Sequence, residues 1–151
     1  ACGGDLDFWK VRMRPGAPLA FGMLGGVPWI GLSGNPVSAM VTFEIFVRPA
    51  IRRMTGFRSL FPQTVLVEVA EPVKLAAPLM HFLRARVSLD AGDRFVASLA
   101  GSQSSSVLTS LARANALLIL PGNHLEIAAG ETHRAILLGE SFSVSDELVL
   151  E

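Results

Sequence analysis

The sequence predicts an α/β segment over residues 1–57 followed by a small all-β, barrel-like domain over residues 58–151. Three observations carry that reading. Short strand patterns punctuated by glycine and proline run into one amphipathic helix. A compositional break then falls at "MTGFRSLFP", residues 54–62. Beyond it, short alternating segments recur at close spacing with almost no long helical period, the pattern of a barrel or sandwich of about 90 residues.

Element by element, "FWKVRMR" (residues 8–14) alternates in period two, with Lys10, Arg12 and Arg14 on one face and Trp9, Val11 and Met13 on the other. "PLAFGML" and "VPWIGL" read as strands joined by Gly25-Gly26, a hairpin signal. Asn35 suits a helix N-cap and Pro36 the first helical position, where a missing N–H costs nothing. Met40, Phe43, Val47, Ile51 and Met54 recur at helical spacing and define the expected buried face. Arg48, Arg52 and Arg53 complement the C-terminal end of the dipole, Gly56 can close the helix, and Pro49 should kink or split it. In the second part, "TVLVEVA", "FLRARVSL", "RFVASLA", "ALLILP" and "HRAILL" are the expected strands. "LDAGDR" is a hairpin loop, and a short helix fits within "SSVLTSLARAN".

Composition narrows the function classes. Half of the 151 residues are hydrophobic, 17% are charged and the formal net charge is +0, which gives no footing for nucleic acid as a bulk partner. The apolar content instead suggests a surface made for another domain or subunit. Residues 15–43 carry no charge, but ten glycines and prolines interrupt them, so no ~20-residue membrane helix fits. No secretory signal opens the chain, and the missing initial Met points to a piece of something longer. Cys2 is the one cysteine; it cannot form an internal disulfide, which favours a reducing, cytoplasmic setting. His81, His124 and His133 are scattered and read as surface or satisfied polar residues.

Three stretches could carry chemistry. In "GLSGNPVSAMVTF" (residues 31–43) a glycine-rich turn opens a helix, and backbone amides at a helix N-terminus suit phosphate or another oxyanion. Ser33 and Ser38 add hydroxyls, Asn35 an amide, and Gly31 and Gly34 allow close approach; a well-built helix start accounts for the same residues. Lys10, Arg12 and Arg14 fit either a solvated strand face or a clamp for a multiply charged ligand. "GSQSSSVLTSL" carries hydroxyls that could donate to oxyanions, though composition favours a polar loop with a serine cap. No trustworthy Ser-His-Asp order, HExxH, CxxC or complete P-loop is present, and no general base is legible.

Four ordered blocks, "FWKVRMRPGAPLAFG", "GLSGNPVSAMVTFEIFVRPAIRRMTG", "FLRARV" and "SSVLTSLARANALLILP", resemble the molybdopterin molybdenumtransferase family, MoeA in bacteria and the gephyrin E-domain in animals. The likeness covers nearly the whole chain and is to the family's C-terminal portion. It implies that residues 1–57 are the later part of a molybdopterin-binding three-layer α/β domain and residues 58–151 a C-terminal β-barrel domain. It implies transfer of molybdenum from molybdate into adenylylated molybdopterin, a Mg2+-dependent step that releases AMP and yields molybdenum cofactor. The working residues it carries over are Lys10, Arg14, Ser38, Arg84 and Ser105, with Pro18, Gly31, Ser33, Gly34, Asn35, Pro36 and Ser38 toward the bound cofactor, and no metal ligand.

The departures are specific. Arg14 stands where the family has lysine, Ala17 removes a further lysine, and Ser104 and Ser106 replace two glycines around Ser105. The family's Thr/Gly-rich substrate loop and its acidic metal-associated residues lie N-terminal to this chain. Its members are homodimers with the site near the domain junction. The expectation is therefore a cytoplasmic insertase fragment, inactive alone, that works with a missing N-terminal portion and a second copy. The alternative is a catalytically silent scaffold or oxyanion-binding module of the same fold, and a third reading makes residues 58–151 only a structural barrel that buttresses the dimer.

Overall fold

The computed structural model describes residues 4–104 and 107–139; Cys2, Ser105, Ser106 and residues 140–151 lie outside the described residues. The chain opens with β1 (Gly4–Lys10), β2 (Met13–Arg14), β3 (Pro18–Leu24) and β4 (Val27–Gly31), of which β1, β3 and β4 form an antiparallel sheet in that order. Gly25 and Gly26 join β3 to β4 with φ of 56° and 80°. Both lie in the left-handed region that a two-residue hairpin turn requires.

The single strand expected over residues 8–14 is broken. Lys10 pairs with Pro18 inside the first sheet, whereas Met13 and Arg14 run parallel to Met80 and His81 of a later, six-stranded sheet. The cause is a tight reversal: Val11 N–H donates to Ala17 O at 3.0 Å, closing a loop through the cis Arg14–Pro15 peptide. Lys10 and Arg14 thereby belong to different sheets.

The helix starts as its sequence predicts and then departs from it. It comprises α1 (Pro36–Thr42), a π-helical turn (Phe43–Val47) and α2 (Arg48–Met54). The wide turn lies just ahead of Pro49, whose missing N–H and bulky ring disfavour the ordinary ladder, and Arg48 N–H reaches back to Phe43 O. That slip rotates the faces. The expected buried stripe is corrected in part: Met40, Phe43 and Val47 are half-buried, Val37, Ser38, Val41 and Thr42 are the buried residues, and beyond the turn Ile51 and Met54 are 48% and 72% exposed. Val41 packs with Met13, Phe82, Leu117 and Ile136, which ties the helix to the barrel wall. Gly56 (φ 84°) ends the helix, with Phe57 N–H on Arg52 O.

The remainder holds β5 (Thr64–Val69), β6 (Val73–Lys74), β7 (Met80–Leu89), β8 (Phe95–Leu99), α3 (Thr109–Arg113), β9 (Ala116–Leu120), β10 (Glu126–Ile127) and β11 (Thr132–Leu137). Strands run β7-β8-β5-β11-β9, and a β7–β9 pairing closes the five-stranded barrel, with β2 added parallel to β7. The β6–β10 pair stands apart from that ring. Val67, Val69, Leu83, Ala85, Leu118, Leu120 and Ala135 fill the interior. The loop after Leu89 is tied by Asp90, whose carboxylate accepts from Gly92 N–H and Arg94 N–H; those two bonds, then the Arg94 side chain, hold it below the ordinary aspartate range.

Two side-chain amides stand in for a strand where the barrel wall opens. Gln103 exchanges hydrogen bonds with Arg84 N–H and O at 2.9 and 3.0 Å. Asn115 does the same for Val87, at 2.7 and 2.9 Å. Among the described residues no helix is long and apolar enough to cross a membrane. Trp9, Val27, Met54 and Phe61 are large apolar side chains left exposed on the first sheet, on α2 and beyond it.

Candidate functional site

Docking β2 onto β7 forms a cavity of about 690 Å3 between the 14–18 turn, α1 and the barrel. Arg14, Pro18, Ser38 and Arg84 line it, as do Ala17, Lys74, His81, Gln103 and Ser104. Gly16 (φ 100°) lets the turn lie against α1, because a side chain there would run into the Thr42 methyl and approach Ser38 O. Lys10, Gly31, Ser33, Gly34, Asn35 and Pro36 are not among the lining residues. Lys10 instead lies 5.7 Å over the Trp9 ring, and Ser105 lies outside the described residues.

Arg84 is the unusual residue of the wall. It is fully buried, and its guanidinium donates from Nε to Ser110 Oγ (3.0 Å) and from Nη2 to Ser102 O (2.8 Å) and Ser104 O (3.1 Å). Among the described residues no carboxylate pairs with it. Burial pulls the guanidinium below its ordinary value, yet arginine stays charged at neutral pH. A buried cation held only by neutral acceptors keeps a local excess of positive charge, and a bound anion would offset it. Lys74 adds a second cation, shared with Glu126 at 3.1 Å.

His81 corrects the expectation that each histidine is a surface or satisfied group. It is 3% exposed. Its Nδ1 lies 2.7 Å from Leu79 O, and since a carbonyl can only accept, Nδ1 carries the proton. Nε2 is buried without a partner. The sequence offered one signal for it, its place directly before "FLRAR"; Lys74 and Gln103 offered none.

The open amide cradle expected at the helix tip is absent. Asn35 Oδ1 accepts from Val37 N–H (3.2 Å) and Ser38 N–H (3.4 Å), Asn35 O takes Ala39 N–H, and Ser33 Oγ takes Asn35 N–H. Pro36 has no N–H to offer, so the tip is satisfied by its own cap. Cap and cradle compete for the same donors, and here the cap holds them. Asn35→Ala should therefore cost about 1 kcal/mol in chemical denaturation and leave anion binding in the cavity within about twofold; a large binding loss would show that the tip takes part after all.

The lining offers cations and neutral donors rather than carboxylates. Among the described residues no three His, Cys, Asp or Glu side chains gather to hold a metal ion. That donor set does not fit Mg2+, which prefers carboxylate oxygens.

Residues 67–138 match the family model for the MoeA C-terminal region (domain IV), and residues 2–53 match that for a probable molybdopterin binding domain. A molybdopterin molybdenumtransferase of Staphylococcus aureus (strain COL) is 38% identical over 147 residues, which is 97% of this chain and 34% of that protein. Its Staphylococcus epidermidis counterpart (strain ATCC 12228 / FDA PCI 1200) is 34% identical over the same shares. The chain thus spans about a third of the length of the curated relatives it matches. The crystal structure of a molybdopterin biosynthesis moeA protein from Pyrococcus horikoshii OT3 superposes with a TM-score of 0.69 at 26% identity, over 87% of this chain and 32% of that one. A molybdenum cofactor biosynthesis protein from Pyrococcus furiosus gives 0.70 at 23% identity, over 88% and 45%, a likeness of fold alone.

Proposed function

This chain resembles the C-terminal portion of the molybdopterin molybdenumtransferase family, and on that premise we propose that it serves molybdenum cofactor biosynthesis. Its part is to supply the oxyanion-binding wall of the site where molybdenum from molybdate enters adenylylated molybdopterin. The observation that carries this reading is the cavity itself, where Arg14, Lys74 and Arg84 converge with Ser38 and Pro18 and, among the described residues, no carboxylate lines the wall. Molybdate and the substrate phosphates are tetrahedral oxyanions that repel one another. Fixed cations and hydroxyl donors offset that repulsion and hold the pair in reacting geometry. Arg14 would supply a planar fork, Arg84 a fixed buried charge and Ser38 a neutral donor. No side chain here is assigned as general base, and no step is routed through Mg2+.

The reading treats residues 1–57 and 58–151 as two units with the site at their junction. Lys10 and the 31–36 turn then serve outside the lined cavity, toward the pterin. Exposed Trp9, Val27, Met54 and Phe61 support burial against an upstream portion of a longer cytoplasmic protein or against a second copy in a homodimer. A catalytically silent oxyanion-binding module is the second reading, favoured by Ala17 in the cavity wall where the family has a cation.

Equilibrium titration with molybdate tests the site. Ser38→Ala should weaken binding about fivefold, the value of one neutral hydrogen bond, and Arg14→Gln about tenfold or more, as for a charge-assisted one. Binding that neither variant alters would place the anion elsewhere. No binding in the wild-type full-length protein rejects the site.

A further inference from the structure

Residues 48–63 carry four arginines and no Asp or Glu. Arg48 is matched by Glu44 at 2.7 Å, but among the described residues no carboxylate forms an ion pair with Arg52, Arg53 or Arg58. The surface they share is also apolar. The Arg52 guanidinium lies 4.4 Å from the centroid of the Phe57 ring, and its Nε–H donates to Ser59 O at 2.7 Å. Phe57 and Phe61 are nevertheless 54% and 72% exposed, and Met54 is exposed at the end of α2. Arginines beside open aromatic rings suit a segment that brings both carboxylates and apolar side chains.

This chain carries such a segment, and it leaves the barrel beside that surface. Residues 140–151, "ESFSVSDELVLE", hold Glu140, Asp146, Glu147 and Glu151, no lysine or arginine, and apolar residues such as Phe142 and Leu148. Just before them, Leu137 N–H donates to Gln63 O at 3.3 Å, and Leu138 packs on the same core cluster as Ile45 and Phe46 of the π turn. The seven residues from 140 to 146 span up to about 24 Å when extended, and the seven of α2 only about 10 Å, so Asp146 and Glu147 can reach Arg53. Exposed apolar area alone would suit an upstream portion or a second copy equally. Charge separates them: a second copy meeting this face on itself would set arginine against arginine, and a tethered segment competes at high effective concentration.

We propose that the surface formed by the end of α2 and residues 57–61 is a docking site for this chain's own residues 140–151, an acidic and apolar strap. Asp146 and Glu147 lie toward Arg53 and Arg58, and the strap's apolar side chains cover Phe57 and Phe61. Each exposed ion pair contributes little alone, so the tether and the shared apolar contact hold the strap in place. None of residues 48–63 lines the anion cavity, whose reading stands whether or not the strap docks.

Paramagnetic relaxation in the full-length protein tests the strap. A spin label on Ser143→Cys, with other cysteines replaced, should broaden the amide signals of Arg53, Phe57 and Phe61. The broadening should fade as salt rises from about 0.05 M to about 0.5 M, because exposed charges are screened over that range. Asp146→Lys with Glu147→Lys should lower the docked fraction about tenfold, and adding Arg53→Glu and Arg58→Glu should restore it. Restoration by exchanged charge is a result that a damaged surface cannot give. Should the fourfold variant fail to fold, the salt series on the labelled protein decides alone. In a mixture of spin-labelled chains with isotope-enriched chains that carry no label, broadening would mark docking onto a second copy. Broadening seen only in that mixture, broadening at other residues, or none at low salt each overturns the strap.

Discussion

Arg84→Met should abolish oxyanion binding in the cavity and destabilise the fold by about 2–4 kcal/mol. The two effects have separate physical origins. Stability falls because Ser102 O and Ser104 O each lose a donor, and Ser110 Oγ loses the Nε–H it accepts. Ser110 still donates to Val107 O, so the carbonyls bear most of the cost. Methionine fills much of the vacated volume, which keeps a cavity term from dominating.

Binding falls because the fixed charge is gone. A unit charge about 4 Å from an anion contributes about 4 kcal/mol at an effective dielectric of 20, before solvent rearrangement reduces it. A loss of a hundredfold or more in affinity is the expected result. Arg84→Lys separates the contributions. It keeps the charge but not the fork that reaches three acceptors at once, so it should recover part of the binding and little of the stability. Denaturant unfolding alongside molybdate titration reads both. Should Arg84→Met lose stability while binding molybdate as wild type does, Arg84 is a loop fastening and the anion field comes from Arg14 and Lys74.

Features set by local chemistry are legible in the sequence, and features set by distant contacts are not. The Gly25-Gly26 hairpin, the Asn35 cap and the strand runs at 64–69, 82–89 and 116–120 depend on residues close in sequence. The helix face was misjudged because the π turn before Pro49 shifts the phase of everything after Phe43, and periodicity assumes an unbroken 3.6. The parallel β2–β7 pairing joins residues 13–14 to 80–81 through a break at Val11, so no local pattern announces it. That pairing builds the cavity, whereas the helix tip is the anion-site candidate that local sequence alone can display. Arg84 was legible by family likeness, but its burial was not. Phe82, Leu83, Arg84 and Ala85 are all buried, where a strand with one wet face would alternate.

Gly122→Ala should lower stability by about 1–3 kcal/mol, although nothing about a lone glycine in a Pro-Gly-Asn turn suggests it. The reason lies in contact, not backbone conformation. A Cβ at Gly122 would sit 2.5 Å from Leu79 N and C and 2.6 Å from Leu79 O, all backbone atoms that cannot swing aside. The Leu79 peptide must shift, and its carbonyl is the acceptor that holds His81 Nδ1–H. Loss of that bond loosens a buried ring in the cavity wall. Gly101→Ala is the matched control. Gly101 has φ of 94° but open space around its position, so its substitution costs about 1 kcal/mol in strain with no steric clash. If denaturant unfolding shows both alanine variants losing stability equally, the close approach of Gly122 to the Leu79 peptide is not what makes alanine costly there.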